Sequence, residues 1–225
     1  MTGMKRVLFF VSLAGIFVFT TGAGFPSLGK KNDGAPAAGA KSRDAIMGEQ
    51  DGLIKQFKET QAKYMDAFEL SAEALGLKIE AAALIAESRA LIAGPVTADA
   101  LDKGKKSQSG LLELTKNRMA KSEPLSAESK KIMGKSVVAF VEANLMEKKT
   151  VTVAVDLTKS AKDMVEKLPM LDKPKALDAI KPTLALGDYL PGDVITATAT
   201  LKTYVDFCKS QNIQLDKDVK LALGD

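Results

Sequence analysis

The sequence contains few side chains of the kinds that usually carry out catalysis. Histidine and tryptophan are absent, and Cys208 is the single cysteine. Composition therefore excludes a Ser-His-Asp triad, a histidine-ligated metal and a cysteine-rich zinc site. We expect no catalytic residue, no cofactor and no resident metal, and we interpret the protein as a non-enzyme. An enzyme built on serine, lysine or paired carboxylates stays open, although no local spacing indicates one.

Two patterns resemble chemical motifs, but their sequence context argues against both. Gly134-Lys135-Ser136 matches the end of a phosphate-binding loop, yet Ser129 replaces the first glycine of that motif and no strand is predicted before it. A di-iron bundle would require Glu-x-x-His pairs, which a chain without histidine cannot supply. We interpret the remaining carboxylates of the first helix as a solvated face, since they recur at intervals of 4, 7 and 7 residues: Glu69, Glu73, Glu80 and Glu87.

Residues 1–24 have the three parts of a secretory signal peptide. Lys5 and Arg6 precede the apolar run from Val7 to Phe19, and small residues follow at 20–24. This run of 13 residues is short for a membrane span, which needs about 20. We therefore predict cleavage and an exported, periplasmic location in a bacterial cell envelope. An uncleaved N-terminal anchor is the alternative.

The charge of the chain gives no indication of a polyanionic partner. The formal net charge is +4, but Lys5 and Arg6 lie in the N-terminal segment, and without it 30 basic residues face 28 acidic ones. The charges are also interspersed along the chain. We expect no nucleic-acid partner, and membrane contact only through residues 1–24 if they are retained.

Residues 25–43 are rich in Gly, Ala, Pro, Ser and Lys, which predicts a disordered tether before a helical domain at 44–225.

The first part of the domain has the spacing of amphipathic helices. Large apolar residues recur at intervals of 4 and 7 residues, which predicts one core-facing side of a helix: Leu53, Phe57, Tyr64, Phe68, Leu75 and Ile79. This first helix either exceeds 40 residues or bends at Gly76, and it ends at Gly94-Pro95. Thr97 is the predicted N-cap of the second helix. Ser126 is the predicted N-cap of a long third helix, to which we also assign the strand-like alternation of Val151, Val153 and Val155.

Prolines divide the predicted C-terminal part. Pro182 and Pro191 indicate a short helix over 175–186, a loop over 187–192 and a last helix that starts at Asp193. The last helix has a seam typical of coiled coils: Val194, Ala197, Leu201, Tyr204 and Cys208. The tail at 215–223 is predicted to form one or two further turns. Together these elements predict an all-α antiparallel bundle of four to six helices with long first and third helices.

Two residues are candidates for contact with a partner. Tyr189 lies in the predicted Pro/Gly loop, where its ring either contacts a partner or packs against the turn. Cys208 lies on the apolar seam, which favours burial as a small hydrophobe. The alternative for Cys208 is an exposed thiol that bridges two copies of the chain.

Four stretches resemble a group of uncharacterised exported bacterial helical proteins. They cover part of the first helix and about the last 35 residues: Ala74-Leu75-Gly76-Leu77-Lys78, Leu190-Pro191-Gly192-Asp193-Val194, Thr200-Leu201-Lys202 and Lys209-Ser210-Gln211-Asn212-Ile213. The resemblance implies an all-helical envelope protein. It implies no activity, cofactor or catalytic residue.

These observations favour a non-enzymatic protein-binding or scaffold module of the cell envelope, with another envelope protein or a second copy as partner. The alternative is a carrier of a lipid or other small hydrophobic ligand in a cavity between helices. Alanine-rich packing and the methionines of the domain suggest the carrier. The scaffold is preferred, because methionine more often fills a core than lines a ligand site.

Overall fold

The protein is described from a computed structural model that covers residues 41–121, 123–215 and Val219. The predicted signal peptide, most of the tether and most of the predicted C-terminal turns lie outside these described residues. The described residues form five helices: α1 (Arg43–Ala74), α2 (Lys78–Ala93), α3 (Ala98–Ala120), α4 (Ala127–Glu166) and α5 (Lys173–Ser210). The described ranges contain no strand. The all-helical prediction is confirmed, and the number of helices falls within the predicted range.

Local capping signals set where three of the helices begin. Ser42, Thr97 and Ser126 each accept a hydrogen bond from the backbone N–H three residues further on. Such a cap satisfies one of the donors that the first turn of a helix leaves unpaired. The predicted caps at Thr97 and Ser126 are confirmed. The alternating valines lie inside α4, as predicted.

The chain breaks at Gly76, so α1 and α2 are separate helices. Gly76 has φ +72°, a left-handed conformation that glycine adopts without strain. The Leu77 N–H donates to Ala72 O at 2.7 Å and the Gly76 N–H donates to Glu73 O at 3.1 Å, which closes α1 with a Schellman motif. A single helix of more than 40 residues is therefore wrong. Ile79, predicted on the core face, is 88% exposed because the break changes the helical phase.

The C-terminal prediction is wrong in one respect, since residues 173–210 form the single helix α5. Pro182 and Pro191 lie inside it. Proline lacks the backbone donor that would close the preceding turn. Pro182 leaves Asp178 O without its helical donor, and the next carbonyl, Ala179 O, accepts from Gln50 Nε2 of α1 at 3.1 Å. Packing against α1 thus stabilises a helix that local sequence alone would end.

The centre of the bundle consists of α1, α4 and α5. Along α1 and α4, Tyr64 contacts Glu147 and Ala67 contacts Ser136, so these two helices are antiparallel. Along α4 and α5, Asn144 contacts Thr198 and Thr158 contacts Thr183, so this pair is antiparallel too. The α4–α5 contact is close at Gly187, where a Cβ atom would lie 2.1 Å from Thr158 Oγ1. The helices α2 and α3 pack against each other and against α1.

The apolar core has two parts along the bundle axis. The lower core surrounds the first half of α1 and includes Leu53, Phe57, Leu157, Ile180 and Leu190. The upper core surrounds the second half of α1 and includes Phe68, Phe140, Leu201, Tyr204 and Cys208. Cys208 is fully buried, in agreement with its interpretation as a small hydrophobe. Burial raises the pKa of its thiol to about 12.

Substitution of Leu201 tests whether the predicted seam of α5 carries the upper core. Leu201 is fully buried, so Leu201→Asp should lower the free energy of unfolding by more than about 3 kcal/mol, because it buries an unpaired charge. Ile195 lies on the same helix and is 71% exposed. Ile195→Asp should therefore change the free energy of unfolding by less than about 0.5 kcal/mol. Urea denaturation measures both. Equal stability of the two variants would contradict the position of the seam.

Candidate functional site

A layer of polar side chains crosses the bundle between the lower and upper cores. We call it the polar layer, and it consists of Gln61 of α1, Gln108 of α3, Glu147 of α4 and Asp193 of α5. Gln61, Glu147 and Asp193 are 2%, 0% and 6% exposed. Burial of polar groups is costly unless they have partners, and burial of charge is more so. The contacts within this layer therefore decide what it can do.

Hydrogen bonds link the polar layer across the helices. Gln108 Nε2 donates to Gln61 Oε1, and Gln61 Nε2 donates to Asp193 Oδ2 at 3.2 Å. On the other side of the layer, the Tyr64 hydroxyl donates to Glu147 Oε2 at 2.6 Å. The first two bonds connect α3, α1 and α5, and the third connects α1 to α4.

Glu147 and Asp193 are neighbouring buried carboxyl groups, and we call them the carboxyl pair. Two negative charges close together in a buried site would repel, so the pair favours a state in which one group is protonated. Burial, followed by the nearby charge of Asp193, raises the pKa of Glu147 to about 9. Glu147 Oε2 accepts from Tyr64, whereas the buried Oε1 has no hydrogen-bond partner of its own. We therefore assign a proton to the Glu147 carboxyl group at neutral pH.

Asp193 is the second member of the pair, and burial raises its pKa as well. The hydrogen bond from Gln61 and the positive charge of Lys105 act in the opposite direction, although burial outweighs them. Both favour the ionised form. These contacts make Asp193, rather than Glu147, the group of the pair on which a negative charge is stabilised.

Two small clefts reach the polar layer, and Gln108 lines both. The first cleft contains Asp193 and is lined by Tyr64, Phe68, Lys105 and Phe140 among others. The second cleft is lined by Phe57, Gln61, Ile92, Leu101 and Tyr189 among others. Each has a free volume of about 30 Å³, room for roughly one water molecule. The Gln108 side chain thus lies between the two clefts and lines both.

Tyr189, the predicted partner contact, lies in α5 and not in a loop. It is partly buried, and its ring packs edge-on against Phe57 with the ring centroids 6.1 Å apart. Burial, followed by the nearby charge of Asp193, raises the pKa of its hydroxyl group. The predicted loop is wrong because α5 continues through 187–192. Contact of Tyr189 with a partner stays a prediction.

The patterns set aside on sequence grounds have structural roles. Gly134-Lys135-Ser136 lies inside α4, and the Ser136 hydroxyl donates to Ala67 O at 2.8 Å. Glu69 is exposed and accepts from Arg89, as does Asp66.

Within the described residues, no group of three or more acidic or cysteine side chains could hold a metal ion. The same residues contain no helix with the length and apolar character of a membrane span.

Sequence reasoning did not find the polar layer. Glu147 and Asp193 are 46 residues apart, and each looks like an ordinary surface charge. A signal was present in the spacing, because Glu147 lies seven residues after Phe140 and seven before Ala154, both of which are fully buried. An ionisable residue on an apolar stripe is the pattern that identifies a buried charge.

Comparison of the chain with models of protein families, with curated proteins and with solved structures finds no match. The functional argument therefore rests on the polar layer and its two clefts.

The carboxyl pair predicts an unusual pH dependence of stability. The pKa of Glu147 rises from an ordinary 4.5 to about 9 on folding, so between these values the folded state binds more protons than the unfolded state. Stability should then fall as the pH rises from 5 to 9, by at most about 1.4 kcal/mol per pH unit for one group. Glu147→Gln should flatten this fall, because the amide is neutral throughout this pH range.

The matched control is Glu142→Gln, which removes an exposed carboxylate of the same helix that pairs with Lys63 at 2.9 Å. This variant should retain the full fall in stability. Urea denaturation at several pH values measures all three proteins. A wild-type protein whose stability rises steadily from pH 5 to 9 would contradict the proton on Glu147.

Proposed function

We propose that this protein is a non-enzymatic binding protein of the bacterial cell envelope that carries a small, largely apolar ligand between α1, α3 and α5. The observation that supports the proposal is the pair of clefts that share Gln108 as a wall. Their lining combines aromatic and aliphatic side chains with a few polar groups, a composition typical of small-molecule sites. The location in the envelope rests on the signal-peptide pattern of residues 1–24.

Movement of one side chain would join the clefts. In α3, Leu101 packs in the lower core, and Leu111 and Met119 pack in the upper core. Gln108 lies between these anchors and is held by its hydrogen bond to Gln61. A rotamer change of Gln108 therefore opens a continuous cleft without unpacking either end of α3. Loss of one such hydrogen bond costs about 1 kcal/mol, which ligand contacts readily offset.

The size of the clefts favours a small molecule over a lipid. Each has a free volume of about 30 Å³, whereas pockets for drug-sized ligands have roughly 300 to 1,000 Å³. Even the joined cleft is far smaller than a site for an acyl chain. Of the two kinds of cargo expected from the sequence, the small hydrophobic molecule is the better fit.

A second candidate function is protein binding, and a different observation favours it. Met170 and Leu171, in the turn between α4 and α5, are 83% and 93% exposed. Large apolar side chains exposed next to each other at one end of a bundle are common at contact sites. This turn supports the scaffold function expected from the sequence, with another envelope protein as the partner.

Native mass spectrometry of the protein isolated from its own envelope distinguishes the two functions. Gly104 lines the second cleft, and a Cβ there would meet no atom within 4 Å, so Gly104→Leu should fill the cleft without a backbone clash. A carrier should retain a small-molecule adduct that Gly104→Leu loses. Gly192→Leu is the control, because Gly192 is exposed, has equal room for a Cβ and lines neither cleft.

The outcomes are separate for each function. Absence of a small-molecule adduct from the wild-type protein would contradict the carrier. A protein that co-purifies with the wild type, and not with a double variant Met170→Ser and Leu171→Ser, would support the scaffold function instead.

A further inference from the structure

We infer that the ligand of the two clefts is a small organic amine in its cationic form, with the ammonium group beside Asp193 and the apolar part against Phe57 and Tyr189. This inference rests on the proposed carrier function and names the chemical class of its ligand. Charge, aromatic lining and volume each support it.

The charge of the interior selects for a cation. Asp193 presents a carboxyl group to the first cleft, and a cation bound beside it would favour the ionised form of that group. Because Asp193 is only 6% exposed, an ion pair formed there is screened less by water than a surface pair. An anionic ligand would be repelled, and a neutral one would gain nothing from this charge.

Aromatic rings surround the position of the charge. Tyr64, Phe68 and Phe140 line the first cleft together with Asp193. The electron-rich faces of such rings attract cations, by about 0.5 to 2 kcal/mol depending on desolvation. Phe57, Leu101 and Tyr189 line the second cleft, where an apolar body would remove them from water. The two clefts thus match the two ends of one amphipathic cation.

The volume of the first cleft suits an ammonium group. Its free volume of about 30 Å³ is close to that of one water molecule, which an ammonium group resembles in size. Lys105 lines the same cleft, and its positive charge acts on Asp193 in the absence of ligand. Because Lys105 is exposed, its side chain can turn into solvent when a ligand cation enters. Lys105 is therefore expected to compete with the ligand.

Three probes of similar shape and different charge test the inference. Isothermal titration calorimetry of the full chain at pH 7 compares benzylamine, which is cationic, with benzyl alcohol and benzoate. Benzylamine should bind at least about tenfold more tightly than benzyl alcohol, and benzoate should bind most weakly. Asp193→Asn should reduce the affinity for benzylamine by about tenfold or more and leave that for benzyl alcohol nearly unchanged.

A surface variant keeps the test valid if Asp193→Asn fails to fold. Lys105→Gln should strengthen benzylamine binding several-fold, because the competing cation is gone. Lys106→Gln, an exposed neighbour that lines neither cleft, should have no such effect.

Equal affinities for benzylamine and benzyl alcohol would overturn the inference of a cation and leave the carrier function standing. Failure of benzylamine to bind would also overturn it, and the adduct experiment on the envelope protein then decides the carrier function separately.

Discussion

The structure depends on one electrostatic constraint, which is that two carboxyl groups meet in the interior of the bundle. Glu147 and Asp193 are both buried, and the charge of Asp193 acts on Glu147. Two negative charges close together in a poorly hydrated site would repel strongly, so the fold favours a state in which the pair holds a proton. Two donors stabilise the pair further, because Tyr64 donates to Glu147 and Gln61 donates to Asp193.

This constraint also fixes how the helices align. The polar layer separates the lower core from the upper core, and its hydrogen bonds join α1 to α3, α4 and α5. Sliding one long helix by a turn would bury these groups without partners, at a cost of about 1 to 3 kcal/mol each. Buried polar groups set the register of coiled coils in the same way. The layer therefore serves both the alignment of the bundle and the binding site that we propose.

Local features of the sequence predicted much of the fold, and long-range contacts account for the errors. The caps at Thr97 and Ser126 depend on residues within one turn, and they were predicted correctly. The continuity of α5 was not predicted, because the donor to the turn before Pro182 comes from Gln50, which is 129 residues from its acceptor. The carboxyl pair was missed for the same reason. Its members acquire raised pKa values only through burial against helices that are distant in sequence.

The state of the carboxyl pair can be observed directly by carbon-13 NMR of protein labelled at the side-chain carboxyl carbons of Glu and Asp. The account predicts that the Glu147 signal is that of a protonated carboxyl group at pH 7 and titrates near pH 9. The Asp193 signal should titrate above the ordinary range of an aspartate, because burial raises its pKa. Titration of both signals near pH 4 would show that the pair holds no proton in the folded protein, and it would contradict the account.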